Sequence, residues 1–354
     1  MSAGAFPSTI WDLRPSLKYD ALCLLNVLGN DPYYLTYYRT EFDHFDPLFT
    51  LGERTAFRDV KRIIKDEARG IVSALLALEL SVTEEEGLAP LIRAVADSST
   101  IRAALEHTSL WDPNSWTTYE RARPSLLTAL QALERVGFES YWEENVRPVI
   151  EKEIEQLRPV LPKYDIVPAI EAILGKPLPS HRVVVYLLQY SQPHGIRITG
   201  TRFLTHVSYP FEIVLRNAIH ELMHPPYDSN HPAVRGAVER LGADATIREI
   251  VEHHNKSFGY NTVPGYVEED CVQALEEIVS RQFGAGRDPV EYWKMQDDGM
   301  HTLAAAIYEG YRGSGFEGPT PLPFPEWFVG AVSRGALEGE QLLRTTRLFF
   351  EGGA

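Results

Sequence analysis

The chain has 354 residues, of which 44% are hydrophobic and 23% charged, and its net charge at pH 7 is −15. This length suggests one large domain or two smaller ones, and the composition is that of a folded globular protein. No apolar run approaches the roughly 20 residues of a membrane span. So large an acidic excess argues against a nucleic-acid-binding protein, which needs basic patches. The 2 cysteines exclude a four-thiolate zinc site, so histidine and carboxylate groups remain as ligands for any metal.

The predicted elements change character about halfway along the chain. The first nine residues have no charged segment followed by an apolar one, so we expect no signal peptide here, and the compartment stays open. Apolar residues at helical spacing predict helices, at residues 22–28, 54–80, 88–96, 101–110, 124–136 and 141–157. Two β-branched and aromatic runs, residues 182–190 and 196–204, predict strands of a small sheet before helical patterns resume. The sequence therefore predicts an α+β fold that is mostly α.

One of the later helices carries the HExxH pattern at residues 220–224. Residues four apart lie on the same face of a helix, so His220 and His224 can direct two imidazoles at one ion. Glu221 lies about 100° further around the helix, where it can reach a water on that ion as a general base. Apolar neighbours on several sides predict that this helix is buried, and the proline pair at 225–226 predicts its end.

A catalytic zinc ion normally has three protein ligands, so the motif needs a third. The metzincin pattern would require glycine at position 227 and histidine at position 230, but Tyr227 and Asn230 stand there. Asp228 is one candidate, although it is very close to His224 in the sequence. A glutamate on a helix further along the chain is the other candidate.

Residues 262–281 predict such a helix. Thr262 suits the N-cap and Pro264 the first turn. Three consecutive acids at 268–270 lie near its start, where the positive end of the helix dipole alone would favour them. The helix offers Glu268 and Glu269 as ligands.

Together, the HExxH motif and the acidic helix resemble the gluzincin group of zinc metallopeptidases, over roughly residues 186–282. The resemblance implies a zincin-like catalytic domain at residues 165–354, preceded by a helical N-terminal region at residues 1–164. It implies a small sheet whose edge strand, near residues 196–204, lines the substrate cleft. It also implies one zinc ion, bound by His220, His224 and a glutamate from the second helix.

The gluzincin pattern W-x-x-E-G-x-A aligns with residues 266–272 and puts this ligand at Glu269, with Glu268 as the alternative. No glycine follows Glu269, which departs from that pattern. Gln273 stands where gluzincins often have an acid outside the ligand set. We expect it to accept a hydrogen bond from a ligand histidine.

The resemblance also implies the activity, which is hydrolysis of a peptide or protein substrate by a zinc-activated water with Glu221 as general base. The oxyanion needs a hydrogen-bond donor, for which we choose Tyr311, with Tyr260, His301 and Tyr308 as alternatives. A catalytically inactive zinc-binding scaffold and a zinc hydrolase of non-peptide substrates stay open as other functions. We expect no nucleic-acid partner and no transmembrane span, and the sequence leaves the oligomeric state open.

Overall fold

A computed structural model of the chain describes residues 8–83, 86–108, 110–317 and 321–352. The fold of these residues is mostly helical with a four-stranded mixed sheet, which confirms the prediction of an α+β fold that is mostly α. Among the helices of the described residues, none combines the length and the hydropathy that crossing a bilayer requires.

The chain divides into two compact units. One is formed by Ile10–Pro162 together with Arg182–Phe211, and the other includes Lys163–His181 and Glu212–Ala354. The change of unit between Pro162 and Lys163 lies close to the predicted boundary at residue 164. The strand-bearing segment Arg182–Phe211, however, belongs with the N-terminal helices and not with the unit that contains the HExxH motif.

Strand pairing explains this division. The strands are β1 (Ile10–Pro15), β2 (Arg182–Leu188), β3 (Ile196–Ile198) and β4 (Arg202–His206). Their order in the sheet is β1-β2-β4-β3, with β1, β2 and β4 parallel and β3 antiparallel to β4. β1 has no counterpart among the predicted strands, and its pairing with β2 draws the strand-bearing segment into the N-terminal unit.

The strand predicted at residues 196–204 is divided into β3 and β4. Gly200 lies between them with φ of +76°, a left-handed value that glycine adopts without steric cost. The chain reverses there, so that Ile196 pairs with Leu204. β3 is therefore one edge strand of the sheet, opposite β1, and β4 lies inside the sheet.

Helices complete the unit that contains the sheet, and within it α9 packs on β1 and β2 and α4 packs on β3. These helices are α1 (Leu17–Leu28), α2 (Pro32–Phe45), α3 (Leu51–Lys61), α4 (Val72–Glu79), α5 (Leu88–Ala96), α6 (Ser99–Leu105), α7 (Pro113–Arg135), α8 (Phe138–Tyr141) and α9 (Arg147–Leu157).

The residues predicted as one helix at 54–80 form two. α3 continues into a π-helical turn at Arg62–Glu67, and α4 begins only at Val72. Between them Arg69 has φ of +63°, and the amide of Gly70 donates to the carbonyl of Ile64 at 2.9 Å. A left-handed residue of this kind ends a helix. Apolar spacing continues across the break, so periodicity alone does not reveal it.

The second unit is helical in its described residues, and α14 packs within it against α16 and α12. Its helices are α10 (Ile166–Leu174), α11 (Phe211–Met223), α12 (Pro232–Ala243), α13 (Ala245–His253), α14 (Val263–Gln282), α15 (Pro289–Met295), α16 (Thr302–Tyr311), α17 (Phe324–Ser333) and α18 (Gly339–Glu351).

α14 is the helix predicted to carry the third ligand. The hydroxyl of Thr262 accepts a hydrogen bond from the amide of Gly265 at 3.2 Å, which confirms the predicted N-cap. Pro264 lies in the first turn, as predicted. Most of the helix is buried. Packing on several sides fixes the directions of its side chains, which a precise site requires.

Candidate metal centre

α11 carries the HExxH motif in the core of its unit. Its buried apolar side chains are those of Val214, Leu215, Ala218, Ile219, Leu222 and Met223. The helix ends at Met223, so His224 lies just beyond its last turn. The Nε2 atoms of His220 and His224 are 3.2 Å apart, so the two imidazoles point at one place.

Glu269 reaches the same place from α14. Its Oε1 lies 3.7 Å from the Nε2 of His220, and its Oε2 lies 3.6 Å from the Nε2 of His224. The residue is only 7% exposed. One ligand atom from each of the three residues lies within 4.8 Å of the other two. The structure thus brings His220, His224 and Glu269 together, and we call this set the triad.

The triad has the size of a site for one zinc ion. Ligand atoms about 2.0–2.2 Å from zinc lie about 3.3–3.6 Å from one another in a tetrahedron. The two Nε2 atoms are 3.2 Å apart, and each faces a different carboxylate oxygen of Glu269, at 3.7 Å for His220 and 3.6 Å for His224. Two imidazoles and one carboxylate form a catalytic zinc ligand set, and they leave a fourth position for water or substrate.

Glu268, the alternative ligand, contacts the opposite side of an imidazole. Its Oε1 lies 3.0 Å from the Nδ1 of His224. When Nδ1–H donates to this carboxylate, the lone pair of Nε2 is left for a metal. Glu268 is therefore placed to orient His224, whereas Glu269 faces the Nε2 atoms of both histidines.

Glu276 lies on the corresponding side of His220. Its Oε2 is 3.8 Å from the Nδ1 of His220 and accepts a hydrogen bond from Arg287 at 2.6 Å. The guanidinium of Arg287 in turn stacks on Tyr292, 3.5 Å from the ring centroid. Sequence reasoning missed Glu276. The available signal is its spacing, because it follows Glu269 by seven residues and so lies on the same face of α14.

Gln273 contacts Glu269, not a ligand histidine. Its Nε2 donates to the Oε1 of Glu269 at 3.0 Å, and its Oε1 accepts from the indole of Trp293 at 3.0 Å. The expectation that Gln273 accepts a hydrogen bond from a ligand histidine is therefore wrong. The physical reason is that Gln273 follows Glu269 by four residues, so the two side chains are neighbours on one helix face.

The buried acids govern the charge of His220. Burial lowers the pKa of His220, but the carboxylates of Glu269, Glu276 and Glu221 outweigh it and raise this pKa to about 9. Burial raises the pKa of Glu269, whereas His220 and His224 lower it, and the net shift of this pKa is downward. The triad therefore favours a positive charge at its centre, which a divalent cation supplies when it replaces the protons.

Glu221 lies beside the triad on α11. The residue is 8% exposed, and its negative charge contributes to the raised pKa of His220. Its position matches the expectation that residue 221 comes close to the ligands without being one of them. A carboxylate held there can accept a proton from a water at the fourth position.

Tyr311 does not lie with the triad. Its hydroxyl donates to the carbonyl of Leu322 at 2.8 Å, and its ring packs on Phe324 and Trp327. In this arrangement the hydroxyl of Tyr311 is engaged by a carbonyl 11 residues along the chain and is not directed at the triad. Tyr308 is also placed elsewhere, against a cluster of aromatic rings.

Tyr260 and His301 do lie beside the triad. Tyr260 lies close enough to Glu269 for the charge of that carboxylate to act on its hydroxyl, and its ring centroid is 5.7 Å from that of His301. Burial and the charge of Glu269 raise the pKa of Tyr260. Its φ of +54° is uncommon for tyrosine, and strained residues of this kind cluster at functional sites. His301 is engaged on both nitrogens, with Asp270 at 2.6 Å and Asp297 at 2.9 Å. Tyr260 is therefore the better-placed donor.

Two further polar groups near the motif in the sequence contact the backbone. Asp228, the alternative third ligand, accepts a hydrogen bond from the amide of Asn230 at 2.9 Å. The ring nitrogens of His254 lie 2.9 and 2.8 Å from the carbonyl oxygens of Val251 and Gly259. These contacts are structural, and they give neither residue a place in the triad.

Comparison of the chain with protein-family models, with curated proteins and with solved structures finds no match. The gluzincin resemblance therefore rests on the residues of α11 and α14 alone.

Proposed function

We propose that this chain is a zinc-dependent metallopeptidase. The observation that carries the proposal is the triad, with a carboxylate from α14 opposite two imidazoles from α11 and with Glu221 beside them. The closeness of the ligand atoms, the carboxylate of Glu268 at the Nδ1 of His224 and the burial of Glu269 all support a zinc site.

Zinc bound by the triad supplies a Lewis acid that polarises a carbonyl group and lowers the pKa of water. Glu221 accepts the proton of the attacking water at its side-chain carboxylate and returns it to the nitrogen of the leaving amine. Glu268 holds the imidazole of His224 with Nε2 toward the metal position, and the carboxylate of Glu276 lies 3.8 Å from the Nδ1 of His220. The resulting reaction is hydrolysis of an amide bond.

Tyr260 takes the role of oxyanion donor in this proposal. Its hydroxyl lies at Glu269, at the edge of the triad, and it can turn from that carboxylate to an oxygen that becomes negative during the reaction. The proposed substrate is a peptide. The carboxylate of Glu221 can protonate the leaving amine, and the phenol of Tyr260 can stabilise the oxyanion of a tetrahedral intermediate.

The test of this function is Glu221→Gln, assayed with a mixed fluorogenic peptide library and with metal analysis of the purified protein. We expect the wild type and the variant to hold one zinc ion each, and the variant to lose hydrolysis by roughly 10²–10⁴-fold, the contribution of a positioned general base. Glu212→Gln, in the first turn of the same helix, is the matched control and should keep the wild-type rate.

Full activity in Glu221→Gln would reject the assigned mechanism. A wild-type chain that binds zinc but cleaves no member of the library would reject the peptidase and favour a scaffold or a hydrolase of other substrates. A wild-type chain without affinity for zinc would reject the peptidase, the zinc-binding scaffold and the zinc hydrolase of other substrates alike.

A further inference from the structure

A line of hydrogen bonds runs from α15 to the third ligand. The indole Nε1 of Trp293 donates to the Oε1 of Gln273 at 3.0 Å, and the Nε2 of Gln273 donates to the Oε1 of Glu269 at 3.0 Å. Trp293 is fully buried, and Gln273 is 3% exposed. Water therefore has little access to compete for these hydrogen bonds.

The chemistry of the partners fixes which way the amide of Gln273 points. The indole of Trp293 can only donate, so it requires the amide oxygen, and the ionised Glu269 can only accept, so it requires the amide nitrogen. The Nε2 atoms of Gln273 and His301 are 3.2 Å apart. Reversing the amide would offer an acceptor to His301 but would set the amide nitrogen against the indole N–H and the amide oxygen against the Glu269 carboxylate, so the two relay contacts decide its orientation.

We infer that Trp293 and Gln273 form a positioning relay that holds Glu269 in the orientation in which it binds the metal. The inference rests on the zinc site of the proposed function. A glutamate side chain has several freely rotating bonds, and ordering it on metal binding costs conformational entropy. A hydrogen bond that fixes one carboxylate oxygen beforehand removes part of that cost and so tightens metal binding.

The relay begins in the core of the unit. The indole of Trp293 packs against the rings of Tyr308 and Phe349, with centroids 5.6 and 5.7 Å away. These contacts fix the indole N–H, which in turn fixes the amide of Gln273. α15 therefore acts on the metal centre although Trp293 does not contact the triad.

The relay is tested by measuring the zinc affinity of two single variants and of the double variant that combines them. The affinity is measured by competition with a chromogenic chelator. Gln273→Met keeps the length of the side chain and removes both hydrogen bonds, whereas Trp293→Phe removes only the indole N–H. We expect Gln273→Met to weaken zinc binding roughly 10–100-fold and Trp293→Phe about fivefold. The double variant should bind zinc as weakly as Gln273→Met alone, because Trp293 acts through Gln273.

Trp327→Phe is the matched control. Trp327 is 5% exposed in the same unit, and its indole donates to the hydroxyl of Ser314 at 3.0 Å, so this variant loses similar packing and a similar hydrogen bond. Its zinc affinity should equal that of the wild type. The absorption spectrum of the cobalt(II)-loaded protein should change in Gln273→Met and not in Trp327→Phe, because only the former alters how Glu269 meets the metal.

Additive losses in the double variant, or wild-type zinc affinity in Gln273→Met, would overturn the relay. Both results are independent of hydrolysis, so they leave the proposed function intact. If the wild type binds zinc but hydrolyses no peptide, the proposed function fails and the same three variants still test the relay.

Discussion

At the scale of single residues, neighbouring acids of α14 have different tasks. Glu269 faces both Nε2 atoms of the triad, whereas Glu268 contacts the Nδ1 of His224. Successive residues on a helix point about 100° apart, so one rotation of α14 decides which acid is the ligand. The side chain of Glu269 is 9% exposed, against 35% for that of Glu268, which agrees with this assignment.

The oxyanion donor leads to a prediction at this scale. We expect Tyr260→Phe to reduce kcat roughly 10²–10³-fold with little change in KM, because the lost hydrogen bond forms only when the oxygen becomes negative. Tyr311→Phe should keep the wild-type kcat, since its hydroxyl is engaged by the Leu322 carbonyl. Steady-state kinetics on one fluorogenic peptide decides whether Tyr260 or Tyr311 is the donor. The zinc content of each variant is checked in parallel. The assignment fails if Tyr311→Phe loses kcat and Tyr260→Phe does not.

These residues also show what the sequence can predict about the site. His220, Glu221 and His224 follow from local geometry, because the spacing of one helix determines which side chains share a face. The partner of the Tyr311 hydroxyl does not follow from the sequence, because it is set by the folding of the chain that brings the carbonyl of Leu322 to it. Trp293 belongs to no sequence motif that would indicate its role. Only the packing of α15 brings its indole to Gln273.

At the scale of elements, local signals predict where helices begin better than where they break. Thr262 caps α14 as its side chain and spacing predict. The helix predicted at residues 54–80 is interrupted because Arg69 adopts a left-handed backbone conformation that no local preference of arginine indicates. β1 was missed for a related reason, since its partner β2 lies more than 160 residues away in the sequence.

α4 leads to a prediction about stability. Its last residue, Glu79, is 3% exposed, and burial, together with the charge of Asp112, raises the pKa of Glu79 to about 7. Below the ordinary pKa near 4.5 the carboxyl is protonated in both the folded and the unfolded chain, and it has no effect on the pH dependence. Between pH 4.5 and 7 only the folded chain keeps the proton, so the free energy of unfolding falls as the pH rises.

Glu79→Gln should therefore stabilise the protein at pH 8 by on the order of 3 kcal/mol relative to the wild type, with the gain much smaller at pH 5. The measurement is the free energy of unfolding by urea at both pH values. Glu134→Gln, at an exposed position of α7, is the control and should change neither value appreciably. An equal gain at both pH values in Glu79→Gln would show that the carboxyl does not titrate in this range.

At the scale of the whole molecule, the triad, Glu221, Glu268, Glu276 and the relay all come from one unit. They lie on α11, α14 and α15, whereas the sheet belongs to the other unit. A ligand that binds only the folded form of a unit raises the free energy of opening that unit by RT ln(1 + [L]/Kd), about 4 kcal/mol when the ligand is present at 1,000 times Kd. Zinc should therefore protect the two units differently.

Hydrogen exchange with and without zinc measures this difference. We expect saturating zinc to slow the exchange of those amides of α11 and α14 that open with the metal site by up to about 1,000-fold, the factor that corresponds to that free energy. Amides of β2 and β4 should exchange at the same rate with zinc or with EDTA, because their opening releases no zinc. A variant with His220→Ala and His224→Ala should lose the response in α11 and α14. Equal slowing in the sheet would mean that the two units open as one cooperative body, and the metal centre would then stabilise the entire fold.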